Sequence, residues 1–202
     1  MKKVFIDCGA NSGRVTDSFF DKISKASEYE IICIEANPKF RENFEKKKYN
    51  CKFINAAVGD ENKRIKFKID ESDVAYGSSS ILSKRTGKFG KDFLDIKQID
   101  IADFINSNYS IEDFIVLKID IEGSEYDVLP HLKKTKAIEK IDIIFLDLHP
   151  NCKLGIDNNI FQKKLKLTNE FIKDYQHKIY LEPDFWNSED DKNIFKKLKQ
   201  IF

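Results

Sequence analysis

At 202 residues, 41% hydrophobic and 34% charged with a formal net charge of +1, the chain has the length for one domain with a sizeable core and the composition of a soluble globular protein. Both signs of charge are intermixed and Lys far outnumbers Arg, which excludes an acidic tail or a nucleic-acid arm and argues against dense phosphate recognition, where the Arg fork is favoured. No apolar run approaches the ~18 residues of a membrane span, and the apolar stretch of the opening "MKKVFIDCGA" is too short, and broken too early by Asp7, for a signal peptide; a cytoplasmic protein is expected.

"KVFIDCG" (3–9) reads as a strand, and "RVTDSFFDKIS" (14–24) as a helix with Val15, Phe19, Phe20 and Ile23 on one face. "EIICIEANP" (30–38) is a second strand, stopped by Asn37-Pro38; "KFRENFEKKK" is a second helix and "CKFINAAVGD" (51–60) a third strand. This β-α-β-α-β order predicts an α/β fold with a doubly wound, mostly parallel sheet and right-handed crossovers. Around 61–100 the pattern becomes a β-rich insertion. "RIKFKID" (64–70) alternates like a half-exposed antiparallel strand, 75–91 reads as a long loop, and 96–108 as an exposed strand turning into a short helix. The winding resumes with a strand at 114–121, a helix at 124–134, a strand at 141–148, a helix near 159–175 and a strand at 178–182. A last helix is expected at 189–200, with Ser188 and Asp191 spaced as a capping box. No repeat or linker divides the chain, so residues 1–202 read as a single domain. Cys8, Cys33, Cys51 and Cys152 form no CxxC pair and read as reduced thiols rather than a metal site.

Chemistry concentrates where strands end. In "DCGANSG" (7–13), Gly9 permits a sharp turn and Gly13 a close approach. The D-x-G-x-x-x-G spacing differs from the G-x-G-x-x-G of dinucleotide binders, which disfavours NAD. Asp7 at the mouth of such a loop suits a cationic ligand such as S-adenosylmethionine. Glu35 ends the second strand, about 20 residues past the glycines, where an acid accepts hydrogen bonds from ribose hydroxyls. Ala56, Ala57 and Val58 are small enough to wall an adenine, with Asn55 or Asp60 as partners.

"KIDIEGSEYDVL" (118–129) is the most informative stretch. The strand before it is apolar throughout, so it should lie buried beside the first strand, at the switch point where ligands bind outside the carboxyl ends. Asp120 and Glu122 then face the crevice, since charge is costly within the sheet. Gly123 releases the chain into a helix that Ser124 can cap, with Glu125 and Asp127 in the first turn, where negative charge is favoured. Asp147 and His149 close the next strand; His131 and His177 read as structural or solvated. Proton transfer from an acceptor hydroxyl is assigned to His149 or Asp120, with Glu122 orienting. A divalent ion on Asp120, Glu122 and His149 is compatible with these residues, although their spacing does not demand one. Ser78, Ser79 and Ser80 form a candidate substrate loop suited to carbohydrate hydroxyls, with Lys84 and Arg85 suited to phosphate.

Together "FIDCGANSG", "CIEANP", "NAAVGD", "SSSIL" and above all "KIDIEGSEYDVL" resemble the FkbM family of S-adenosylmethionine-dependent methyltransferases, over roughly residues 4–150. The resemblance implies a class I, Rossmann-like methyltransferase with a small-molecule or carbohydrate substrate, methylating a hydroxyl of a sugar, glycan or natural product. It implies that Asp7, Gly9, Asn11, Gly13 and Glu35 hold the cofactor, with Asp120 and Glu122 near the transferred methyl; Ala57 and Asp120 join the cofactor set from the strand-end reading. The chain departs from the family pattern in lacking an N-terminal extension and a clear final strand hairpin. The rival readings are an RNA 2′-O-methyltransferase, through Lys118 and Asp120, and a non-catalytic cofactor-binding module. The near-zero charge and scarce Arg weigh against nucleic acid.

Overall fold

The computed structural model describes residues 1–70, 89–149 and 158–181. The first strand, β1 (Lys3–Cys8), leads through Gly13 into helix α1 (Arg14–Lys22), then β2 (Tyr29–Glu35), helix α2 (Arg41–Glu45) and β3 (Lys52–Asn55). The expected third strand is in fact two. It breaks at Ala56, and β4 (Ala57–Gly59) leaves the main sheet to pair with another. Strands β5 (Lys63–Asp70) and β6 (Phe89–Asp100) form an antiparallel pair, which β4 joins in parallel beside β6. Helix α3 (Ile101–Asn108), β7 (Phe114–Ile119), α4 (Glu125–Lys134), β8 (Ile143–Leu146), α5 (Asn158–Asp174) and β9 (Ile179–Leu181) complete the order.

The main sheet is a parallel α/β sheet in the order β3-β2-β1-β7-β8-β9. Its central strands are hidden on both faces, which is why "FIVL" carries no polar face. Val4, Ile6, Ile115, Leu117 and Ile144 pack on one side with Ile101, Val128, Leu129, Leu132 and Phe171 of α3, α4 and α5. Phe5, Val116 and Phe145 pack on the other with Val15 and Phe19 of α1 and Phe44 of α2. The crossover after β1 thus covers one face and that after β7 covers the other. A crevice opens between them at the carboxyl ends of the strands.

Two local expectations are corrected. Ser124 stands at the start of α4 but its hydroxyl makes no capping bond; the neighbouring Glu125 carboxylate takes the loop's N–H groups instead. Helix 39–48 is shorter, a 3₁₀ turn over Pro38–Phe40 followed by α2. The substrate-loop residues Ser78, Ser79, Ser80, Lys84 and Arg85 lie outside the described residues, as do Cys152 and the helix expected at 189–200. No described helix is long and apolar enough to cross a membrane.

Candidate active site

Four adjacent parallel strands bring their carboxyl ends to one edge, and each hands a polar residue to the crevice. The hydrogen-bond ladder continues just past the strands and holds these tips in register. Gly9 and Ala10 N–H donate to Ile34 O (3.0 and 3.1 Å), Asp120 N–H to Cys8 O (3.2 Å) and Asp147 N–H to Ile119 O (2.9 Å). Gly9 is required by that closeness. A Cβ there would stand 1.9 Å from Asp120 O, and its φ of +76° is one that L side chains rarely adopt.

Beneath the crevice lies a buried ionic knot that the strand pattern alone left unresolved. Asp7 and Lys118 are register partners on β1 and β7, and both point to the α1 side. Lys118 Nζ stands 3.2 Å from Asp7 Oδ1 and 3.2 Å from Asp120 Oδ2, and donates to Gly9 O at 2.9 Å. Thr16 Oγ1 donates to Asp7 Oδ2 at 2.7 Å. Burial opposes the ammonium charge, but the Asp120 and Asp7 carboxylates outweigh it and hold the Lys118 pKa above the ordinary lysine value. Asp7 is fully buried, so it sits below the loop that the sequence had it guarding, fixing Lys118 and the start of α1. Gly13 likewise does not line the crevice; it starts α1 with a φ of 85° under Lys47 and Phe44.

Glu35 ends β2 at the crevice wall. Its Oε1 accepts from Asn37 N–H (2.6 Å) and its Oε2 from Asn11 N–H (2.8 Å), which fixes the carboxylate plane. Burial raises its pKa above the ordinary value, and the two N–H donors and Lys118 only partly offset this. Asn55 is spent on the same tip, its amide donating to Glu35 O and Ala36 O (2.9 and 3.0 Å). Gly9, Asn11, Glu35, Ala56, Ala57 and Val58 line an open cleft with Phe67 of β5, Asp120 and Glu122.

A second cleft adjoins it, sharing Gly9, Asn11, Asp120 and Glu122 and adding Ser12, Arg14, Lys118, Asp147 and His149. Asp120 and Glu122 therefore form the partition between two halves of one crevice. Glu122 is held at φ 55° and Gly123 at φ 105°, successive left-handed residues that turn the chain back after β7. For a glutamate this is strained backbone, of the kind that clusters at functional sites.

Glu125 is the residue whose role the sequence concealed. It is fully buried, accepting from Ile121 N–H (2.8 Å) and Gly123 N–H (2.7 Å), and it lies 3.1 Å from His149 Nδ1. One carboxylate thus braces the Asp120–Glu122 turn and aims the imidazole. His149 Nε2 faces Glu122 Oε2 (3.7 Å), Asp120 Oδ1 (3.8 Å) and Asp147 Oδ2 (3.8 Å). Burial pulls the His149 pKa down, but the Glu125 hydrogen bond and the charges of Glu125, Glu122 and Asp120 win and raise it to about 9. Asp147 is pushed up, chiefly by burial. Away from the crevice, Asp127 pairs with Lys164 (2.5 Å) and His131 with Asp100 (2.8 Å), the residue that caps α3.

The crevice thus stands at the β1/β7 switch point of the sheet. The profile of the methyltransferase FkbM domain matches residues 7–182. The chain belongs to that family. Comparison with curated proteins and with solved structures found no match. The FkbM match starts at Asp7 and ends just past β9, so it takes in every crevice residue described above as well as α5, beyond the stretch that carried the resemblance in sequence.

Proposed function

We propose that this FkbM domain is an S-adenosylmethionine-dependent O-methyltransferase acting on a hydroxyl of a sugar, glycan or small natural product. The observation that carries the proposal is one crevice with two halves, a cleft walled by small apolar residues and ended by Glu35 and a polar cleft closed by His149, meeting at Asp120 and Glu122. The residues fit the cofactor. Glu35 has both oxygens oriented by backbone N–H groups and lone pairs left for two ribose hydroxyls, and Ala56, Ala57 and Val58 leave room for a flat base. When bound, S-adenosylmethionine supplies a methyl group already activated on a sulfonium.

The chain's own work is positioning and proton handling. Aligning an acceptor oxygen with a bound donor supplies up to ~7–11 kcal/mol of barrier reduction in favourable cases. The acceptor loses its O–H proton as its oxygen forms the new bond to carbon, and the partition carboxylates receive that proton, Asp120 foremost because Lys118 and the β7 tip hold it still. Glu122 orients the acceptor from the strained turn. The RNA 2′-O reading needs a lysine that reaches substrate, whereas Lys118 is 3% exposed and bound to Asp7, Gly9 and Asp120.

Thermal unfolding measured with S-adenosylmethionine, S-adenosylhomocysteine, NAD or ATP tests the cofactor. Either sulfur nucleoside at about a hundred times its dissociation constant should add ~2–3 kcal/mol of stability. Stabilisation by NAD alone would overturn the proposal. Transfer of labelled methyl to hydroxylated acceptors tests the reaction, and its loss in Asp120→Asn with nucleoside binding retained is the expected result.

A further inference from the structure

We infer that Asp120, Glu122 and His149 form a divalent-cation site for Mg²⁺ or Mn²⁺, with its open positions facing the polar half of the crevice. This rests on the methyl-transfer reading for its purpose, but not for its geometry. One ligand atom from each residue can be chosen so that all three lie within 4.8 Å of one another. The contacts of His149 Nε2 with Asp120 and Glu122, at 3.8 and 3.7 Å, are too long for hydrogen bonds. Donors about 2.1 Å from an octahedral cation lie roughly 3.0 Å apart when cis and about 4.2 Å when trans, so these side chains need to draw in by under about 1 Å to hold one ion.

Each donor is also oriented from behind, as metal ligands are. The other imidazole nitrogen, Nδ1, meets the buried Glu125 carboxylate at 3.1 Å, a carboxylate–histidine pairing that fixes the ring with Nε2 forward. Asp120 spends Oδ2 on Lys118 at 3.2 Å, leaving Oδ1 as the atom turned to His149. Glu122 is delivered by the left-handed turn that Glu125 itself braces through Ile121 and Gly123 N–H. Asp147 Oδ2, also 3.8 Å from Nε2, stands ready as a further oxygen donor. Carboxylate oxygens with a single imidazole form a hard donor set, which favours Mg²⁺ or Mn²⁺ over thiolate-seeking ions.

Three protein donors leave octahedral positions for water or the acceptor. A hydroxyl oxygen bound there gives up its proton more readily, and the cation offsets the charge on that oxygen as its bond to the methyl carbon forms and the donor's S–CH₃ bond breaks, the electron pair staying on sulfur. With the cation in place Asp120 and Glu122 serve as ligands, so the proton passes to water or Asp147 in place of Asp120.

The test uses the whole chain, stripped with chelator and titrated with Mn²⁺ under electron paramagnetic resonance. One tight Mn²⁺ per chain is expected, with nitrogen hyperfine coupling from one imidazole. His149→Gln should abolish that coupling, and Asp120→Asn and Glu122→Gln should weaken binding. Glu125→Gln should weaken it by about 10- to 100-fold without touching the ion. Asp127→Asn, whose partner is Lys164, should leave it unchanged. Circular dichroism of each variant separates lost binding from lost fold, and the wild-type coupling stands whatever the variants do. Absence of Mn²⁺ binding to wild-type chain, or binding without nitrogen coupling, overturns the site. Methyl transfer that survives chelator would leave the O-methyltransferase reading standing and remove the cation from it. Mn²⁺ binding with no methyl transfer would do the reverse.

Discussion

At single positions, Gly9 couples binding to folding whereas Glu35 is expected to act chiefly on binding. Gly9→Ala forces a Cβ against Asp120 O in a left-handed conformation. A loss of at least about 2 kcal/mol in denaturant unfolding is expected from strain and overpacking together, alongside weakened nucleoside binding. Glu35→Gln keeps the size but replaces one acceptor oxygen by an amide donor opposite N–H groups. Loss of charged hydrogen bonds worth ~1.5–3 kcal/mol should weaken S-adenosylhomocysteine binding by about 10- to 100-fold, read by calorimetry. The same residue sets a pH dependence. Burial raises its folded pKa above 4.5, opposed by Asn37, Asn11 and Lys118 and reinforced by Asp7. Its contribution to the stability of the ligand-free chain is therefore present at acid pH and lost as pH rises through the raised value. Ribose hydroxyls need the ionised form, so nucleoside affinity should fall as pH is lowered through a midpoint above 4.5, and Glu35→Gln should flatten that profile.

At the scale of elements, the unit that matters is β1 against β7 with the turn into α4. Lys118 cross-links the two strands and the loop after β1, so removing it strands Asp7 as a buried charge. Lys118→Met should cost about 3–5 kcal/mol, and Asp7→Asn in the same chain should return part of it, measured by denaturant unfolding of the single and double variants. Alternation in "KIDIEG" made Asp120 and Glu122 legible as crevice residues, because a period of two places them on one face of a strand tip. Glu125 was legible only as an acid in the first turn of a helix. Its actual partners are N–H groups of its own preceding turn and an imidazole 24 residues on, and neither leaves a mark in hydrophobic periodicity.

Across the whole molecule, the crossovers decide where a site can exist. Helix α4 anchors the turn by burying Val128, Leu129 and Leu132 fully against the sheet and α3. Leu132→Ala should therefore cost ~2–5 kcal/mol without altering nucleoside affinity in the fraction that remains folded, since it lies beneath the sheet rather than at its edge. The second sheet supplies Phe67 to the cleft that Glu35 lines and packs it against Ala36, Ala57 and Ile96. In sequence that region reads as a β-rich insertion carrying a candidate substrate loop, and Phe67 does not stand out, because its place in the wall depends on how β4 leaves the main sheet at Ala56.

The order of strands and helices, the parallel doubly wound sheet and the strand-tip acids follow from the sequence alone, since apolar periodicity and glycine placement are local properties. Tertiary structure decided which acids face the crevice and which lie buried beneath it. Asp7 and Glu35 both follow apolar strand residues, yet pairing with β7 buries the first under Lys118, while the second meets the open crevice. Only long-range packing distinguishes them, because the energy of a charge is set by what surrounds it.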